Sequence, residues 1–376
     1  MSRLALTMIV CDEENQLPGF LSHHQGLADE LIIVDTGSHD KTISVAEAAG
    51  AVVISHVWQD DFSAARNAGL AAVTAPWVLF LDADERISQS DFARLRASLT
   101  SPPDRVLLQE TWNYCEGTTH LEWQPLPGRY AAEEADQTGL FKARRIGLFP
   151  NLPPMVFTGR VHESVLPAAE KAELPVVFLD VPVHHYGFVQ SDTVNSARHE
   201  RYRRLLALKL ADDPRDPSSQ LEWATVLLES GDSIEALEQL EMVGRGPAGL
   251  RPVVRGLVLH GRLRREMGEL TAARELLSEA IRQDSGFVFG WLERIRVESQ
   301  GEDWPAAQTL LEQAESLFGA QQPQLLREAL LIKIKTRQLP AALIAAEELV
   351  RYCPQWQEIR DLSARLRRMI KPTGEV

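Results

Sequence analysis

Trp77-Val78-Leu79-Phe80-Leu81-Asp82-Ala83-Asp84-Glu85 decides how this chain folds. Its first five residues are apolar without polar alternation, the pattern of a strand buried on both faces, as central strands of a parallel α/β sheet are. The run then ends in carboxylates at i and i+2. That places Asp82 and Asp84 at the carboxyl edge of the sheet, where open α/β folds bind ligands. Two hard oxygen donors there suit Mn2+ or Mg2+ bridging a diphosphate, but D-x-D is short and common, and by spacing alone a solvated acidic turn that caps a following helix accounts for it more readily.

Working outward, the preceding residues alternate the two periods of a βαβ sheet. Strands are expected at Leu4–Val10, Glu30–Asp35, Ala51–Ser55 and Trp77–Leu81, and helices at Gln16–Leu27, Lys41–Ala49 and Phe62–Ala72. Leu31-Ile32-Ile33-Val34-Asp35-Thr36-Gly37-Ser38 repeats the strand-into-acid pattern, so Asp35 shares an edge with Asp82. An acid there can accept from a uracil imide N–H or a ribose hydroxyl, while the turn and helix start offer backbone donors. Ser38 and Asp40 also read as plain caps of the second helix. In the third helix Arg66 interrupts a small, apolar pattern. A guanidinium there needs an anion, either a nucleotide phosphate or one of the acids, unless it snorkels to solvent.

Between about 100 and 190, Pro and Gly break the pattern, and the clearest strand signals are Val106–Thr111, Gly139–Phe149 and Val176–Val183. From Asp192 onward helical periodicity takes over. Ala236, Ala273, Ala307 and Ala342 recur 37, 34 and 35 residues apart, each after a turn and before a Leu-rich segment. A period near 34 with a small residue at one offset is the mark of tetratricopeptide hairpins, with an irregular α-bundle as the alternative. The expected organisation is therefore an α/β sheet domain at 1–190, a helical linker at 191–217 and α-helical repeats at 218–376.

Over 376 residues, 53 acids against 39 Lys and Arg give a net charge of −14. That field argues against nucleic acid as a partner, and a phosphate-bearing ligand needs local help from a metal or an Arg. Basic residues do cluster at Arg198, Arg201, Arg203, Arg204 and Lys209, and again at Arg251, Arg255, Arg262, Arg264 and Arg265. Such runs read as a solvated helix face or as a surface for an acidic peptide. Three scattered cysteines, Cys11, Cys115 and Cys353, suit a reducing cytoplasm, and no apolar run is long enough for a transmembrane segment. Phosphate loops of the G-x-G-x-x-G and G-x-x-x-x-G-K-S/T types are absent, which disfavours a dinucleotide oxidoreductase or a P-loop NTPase.

Taken in order, Met8-Ile9-Val10 with Glu13-Glu14, Ile33 to Ser38 with Asp40 and Thr42, Trp58 with Asp61-Phe62-Ser63 and Ala65-Arg66-Asn67, and Leu81 to Glu85 resemble family 2 glycosyltransferases. The likeness is nearest to the bacterial branch whose GT-A nucleotide-diphospho-sugar domain is joined to tetratricopeptide-like repeats. It implies an inverting, metal-dependent transfer from a nucleoside diphosphate sugar, most commonly a UDP-sugar, to a peptide, protein or glycan acceptor. By the same resemblance Asp35, Thr36, Arg66, Asp82 and Asp84 bind the nucleotide sugar, and Asp84, Asp82 and His185 hold the metal. Phe157-Thr158-Gly159-Arg160-Val161-His162-Glu163 looks like the family's Gly-x-x-His-Glu segment, which makes Glu163 the candidate general base. His184-His185-Tyr186-Gly187 looks like its late His-Tyr-Gly element. Read alone, Glu163 also fits a salt-bridged acid and His185 a core histidine. Cys11-Asp12 stand where the branch usually has Lys-Asn, and Lys41 where Gly is common. Two rivals remain at this level: a non-catalytic nucleotide-binding scaffold that works through its repeats, and a nucleotidyltransferase releasing pyrophosphate.

Overall fold

The computed structural model describes residues 3–115, 122–135, 137–187, 192–320, 322–354 and 356–370, without the side chains of 192–199. The chain forms two compact units, Met1–Lys209 and Leu210–Val376, and the division falls inside the segment expected as a linker.

The first unit begins with β1 (Leu4–Val10), α1 (Leu17–His23), β2 (Glu30–Asp35), α2 (Thr42–Ala48), β3 (Val52–Ser55), α3 (Phe62–Leu70) and β4 (Trp77–Phe80). These four strands are parallel in the order β3-β2-β1-β4. The apolar runs of β1, β2 and β4 are buried on both sides as expected, while β3 at the sheet edge is half-buried to exposed. Leu6, Met8, Ile33 and Leu79 enter one core, and Ala5, Ile32, Val78 and Phe80 enter the other. Each Val, Leu, Ile, Met or Phe side chain so removed from water contributes about 1.5–3 kcal/mol.

The second half of the sheet comprises β5 (Glu85–Ile87), β6 (Val106–Cys115), β7 (Gly139–Pro150), β8 (Val176–Phe178) and β9 (Val183–His185), with α4 (Phe92–Ala97) and α5 (Leu166–Lys171) between strands. Here β7 runs antiparallel to both β4 and β6, which makes the sheet mixed. The strand expected over Val176–Val183 is two strands, both parallel to β6, at Val106–Leu108 and Thr111–Asn113. Buried Gln109 fills the gap by donating Nε2 to the Val181 carbonyl at 2.7 Å. The short β5 has no apolar run to announce it. It pairs antiparallel with β9, setting Glu85 opposite His185. The first helix is also shorter than expected, ending at His23 before the left-handed turn at Gly26.

Two buried histidines hold this half together, His24 by joining the end of α1 to β5 and His184 by joining β9 to β6. His24 Nε2 accepts from the Ile87 N–H at 3.1 Å, so Nδ1 carries the proton donated to the Phe20 carbonyl at 2.9 Å. His184 Nδ1 lies 2.8 Å from the Tyr114 hydroxyl. Burial pushes each down from its ordinary value of 6.5 to about 3. A depressed pKa stabilises the fold above 6.5, and that contribution is lost as pH falls from 6.5 towards 3. Each histidine then takes up a proton on unfolding, a slope of about 1.4 kcal/mol per pH unit. Urea unfolding of His184→Gln between pH 6 and 5 should therefore show a shallower pH slope than the natural chain by about that amount. An unchanged slope would mean that His184 is not buried in its neutral form.

α6 (Asp192–Asp212) is followed by α7 (Pro217–Glu229), α8 (Ser233–Gly244), α9 (Arg251–Glu266), α10 (Leu270–Gln283), α11 (Val288–Gln300), α12 (Trp304–Phe318), α13 (Pro323–Lys335), α14 (Leu339–Tyr352) and α15 (Gln357–Ile370). Helices α7/α8, α9/α10, α11/α12 and α13/α14 pack as consecutive hairpins. Ala236, Ala273, Ala307 and Ala342 are wholly buried, one on the second helix of each. Five residues before each alanine the backbone is left-handed, at Gly231, Gly268, Glu302 and Arg337. The repeat is thus stricter in backbone than in sequence. The second basic run is not simply a solvated face: Arg262, Arg264 and Arg265 pair with Glu266, Glu269 and buried Glu293 at 2.9, 2.7 and 3.1 Å. In the first run, Arg204 pairs with Asp60, and the Arg198 side chain lies outside the described residues.

Candidate active site

The loops after β1 and β2 are laced together at the carboxyl edge. Asp12 N–H donates to Ser38 Oγ at 2.9 Å and Glu13 N–H to Thr42 Oγ1 at 2.7 Å. In return, Asp12 Oδ1 accepts from His39 N–H at 2.6 Å and Glu14 Oε2 from Lys41 N–H at 3.1 Å. Buried Asp35 turns its carboxylate onto its own loop, accepting the Gly37 and Ser38 N–H groups at 3.1 Å. Thr36 donates both its N–H and its hydroxyl to the Val10 carbonyl. Gly37 has φ 116°, a conformation that a side chain would strain. Of the two expected caps, Ser38 serves Asp12, while Asp40 takes the Thr42 N–H at 2.8 Å. The departures from the family pattern are tolerable here. Asp12 has φ 55°, which Asp adopts nearly as readily as Asn, and Lys41 has φ −86°, so no glycine is required.

Arg66 is the hub of the site. Asp61 caps α3 by accepting the Ala64 N–H at 3.0 Å, and the helix buries Arg66 rather than letting it snorkel. Its guanidinium pairs with Asp82 at 3.0 Å through Nη2 and with Glu163 through Nε, so its anions are two of the site acids. It lies 4.7 Å from the Phe80 ring centroid, with Arg145 4.6 Å from the same centroid. Arg145 grips Glu85 with both terminal nitrogens, at 2.8 and 2.7 Å, and Glu85 Oε2 accepts the Asp82 N–H at 2.9 Å. Desolvation pushes the Asp82 carboxyl up, but Arg66 and then Arg145 outweigh it and hold Asp82 below its ordinary value. At Glu85 burial wins over Arg145, and the carboxyl is raised. Arg66 Nη1 and Arg145 Nε are buried without a hydrogen-bond partner among the described residues.

Pairing of β5 with β9 brings Asp84 to His185, Oδ2 to Nε2 at 3.4 Å, and the Asp84 carbonyl accepts the Tyr186 N–H. His185 Nδ1 meets Asn113 Oδ1 at 2.7 Å, which fixes that nitrogen as the donor. Burial lowers the His185 pKa, but the hydrogen bond and charge of Asp84 overcome it, so the imidazole is raised. His184, not His185, is the core histidine of the pair. For a divalent cation the Asp84 carboxylate and the His185 imidazole, which face each other, are chemically suitable donors. Asp82 gives one carboxylate oxygen, Oδ1, to Arg66. No cluster of three His, Cys, Asp or Glu side chains placed to hold a metal occurs among the described residues.

Glu163 reaches Arg66 through a short clasp. Thr158 and Ser164 exchange backbone hydrogen bonds at 3.0 Å. Phe157 and the Asn67 side chain exchange a second pair, at 2.8 and 2.9 Å, and the Phe62 N–H donates to the Arg160 carbonyl at 2.9 Å. Asp61, Arg66 and Asn67 therefore have three separate duties: start the helix, hold the acids, and tie down the segment that delivers Glu163. Arg145 and Asn113 lie outside the residues that the sequence reading names, and Glu85 enters it only as the end of the Leu81–Glu85 stretch. The one available signal was the Lys142-Ala143-Arg144-Arg145 interruption of an apolar strand.

The glycosyl transferase family 2 profile matches residues 6–161, a stretch that takes in Asp35, Thr36, Arg66, Asp82 and Asp84 and ends just before Glu163. A TPR repeat-containing protein of Synechococcus elongatus is 32% identical over 294 residues, 75% of this chain and 67% of that protein. The SPbeta prophage-derived glycosyltransferase SunS of Bacillus subtilis is 24% identical over 214 residues, 56% of this chain and 46% of its own. An uncharacterized glycosyltransferase of Rickettsia typhi is 30% identical over 89 residues, 24% of this chain and 30% of its own. This chain thus spans about two thirds of the first relative and less than half of the other two. Among solved structures, a thermophilic TPR protein of Thermus thermophilus aligns with TM-score 0.37 and 19% identity, over 46% of this chain and 93% of that one.

Proposed function

Because this chain belongs to glycosyltransferase family 2, we propose that it transfers a sugar, with inversion, from a UDP-sugar to a peptide, protein or glycan acceptor, using Mn2+ or Mg2+ held by Asp84 and His185. The observation that carries this reading is the juxtaposition at one sheet edge of Asp82 and Asp84 with His185 and with the Arg66–Glu163 pair. A divalent cation bound there supplies neutralisation of the diphosphate leaving group. Asp35 at the end of β2 and Thr36 at the start of the following loop would meet the base and ribose. Arg66 presents a guanidinium close to the developing negative charge, and Asp82, held ionised by it, orients the ribose or diphosphate. Glu163 takes the acceptor's proton as its heteroatom attacks the anomeric carbon from the face opposite the leaving group, which inverts the configuration. The three free cysteines suit a cytoplasmic setting, and no helix among the described residues is long and apolar enough to cross a membrane.

The hairpin repeats offer a surface for docking the acceptor or a partner protein. Incubating the chain with a panel of nucleotide sugars, Mn2+ and candidate peptides or glycans, followed by mass spectrometry, should reveal a product one glycosyl unit heavier than its acceptor. Deleting residues from 218 onward is expected to spare donor hydrolysis and lower transfer. If a folded truncation transferred at the full rate, the docking role would be wrong.

A further inference from the structure

Two non-glycine residues with left-handed backbone flank the candidate site: Asp60, with φ 56°, and His162, with φ 54°. Backbone of this kind is sparsely populated for residues with side chains and persists where the surroundings over-determine it. Each precedes a residue on which the site depends. Asp61 caps the helix that carries Arg66, and Glu163 is the candidate base. Both are gripped by the same element, α6. Arg204 forms an ion pair with Asp60, which also accepts from Trp58 Nε1 at 2.8 Å, and the Tyr202 hydroxyl contacts His162 Nε2. Leu205 and Leu206, next along α6, are buried. The Phe62–Arg160 backbone bond joins the two turns, so one helix braces a connected unit.

We propose that Tyr202 and Arg204 are positioning residues of the transferase, which lock the two left-handed turns and thereby fix Glu163 and Arg66 in register. The catalytic consequence rests on the reading of Glu163 as the base. The lock itself does not, and both residues lie beyond the stretch matched by the family profile.

Hydrogen–deuterium exchange on the full chain tests the lock. Tyr202→Phe should speed exchange of the Thr158 and Ser164 amides, and Arg204→Gln that of Phe62, by about fivefold or more, while β1, β2 and β4 keep their natural rates. Arg204→Lys should restore protection. With a donor identified by the nucleotide-sugar panel, both disruptive variants should lose about tenfold in kcat, with the donor KM within about twofold. Unchanged exchange at these amides in both variants would overturn the proposal, as would a raised KM at unaltered kcat. Full activity of Glu163→Gln would instead sink the base assignment and leave the exchange result standing.

Discussion

Asp84→Ala is expected to lower Mn2+-dependent turnover by about 10²–10³-fold while the protein stays folded. Asp84 sits in the turn between β4 and β5, outside the apolar core, and its carboxylate faces His185. Removing it takes away the hard, charged donor that faces His185, while Asp82 already gives one of its two oxygens, Oδ1, to Arg66. The loss should fall on kcat as well as on donor affinity, since diphosphate charge grows as the glycosidic bond breaks. Initial rates across a Mn2+ titration, with circular dichroism confirming the fold, check this. Full activity in the variant would remove Asp84 from the mechanism.

The second large effect is at Glu163. Glu163→Gln keeps an oxygen that can accept from Arg66 but cannot take up the acceptor's proton, so kcat should fall by about 10²–10⁴-fold. Donor KM should change little, because the amide preserves the clasp around Thr158–Ser164. Steady-state kinetics with saturating acceptor separates the two quantities. A rise in KM with kcat intact would mark Glu163 as a binding residue braced by Arg66 and not as a base.

What the sequence disclosed follows from local physics. The double-sided burial of Trp77 to Phe80 and of Ile32 to Val34 is written in uninterrupted apolar runs, and an acid closing each run marks the carboxyl edge. The repeat alanines show because helix crossings tolerate only a small side chain there. Long-range pairing was harder to see. β5 and β9 are three residues each, too short for periodicity to register, yet their antiparallel match is what sets Asp84 beside His185. The Arg145–Glu85 pair likewise depends on β7 returning antiparallel next to β4, a topology that no local pattern encodes. Arg66 was recognisable as a charge in need of an anion, but its division between Asp82 and Glu163 required a partner 97 positions away.

Calorimetric titration of UDP into the 376-residue chain, with Mn2+ and then with excess EDTA, tests the central claim most directly. A site in which Asp84 and His185 hold a metal against the diphosphate predicts measurable binding with Mn2+, loss of it in EDTA, and the same loss in Asp84→Ala with Mn2+ present. Equal UDP affinity under all three conditions would contradict it.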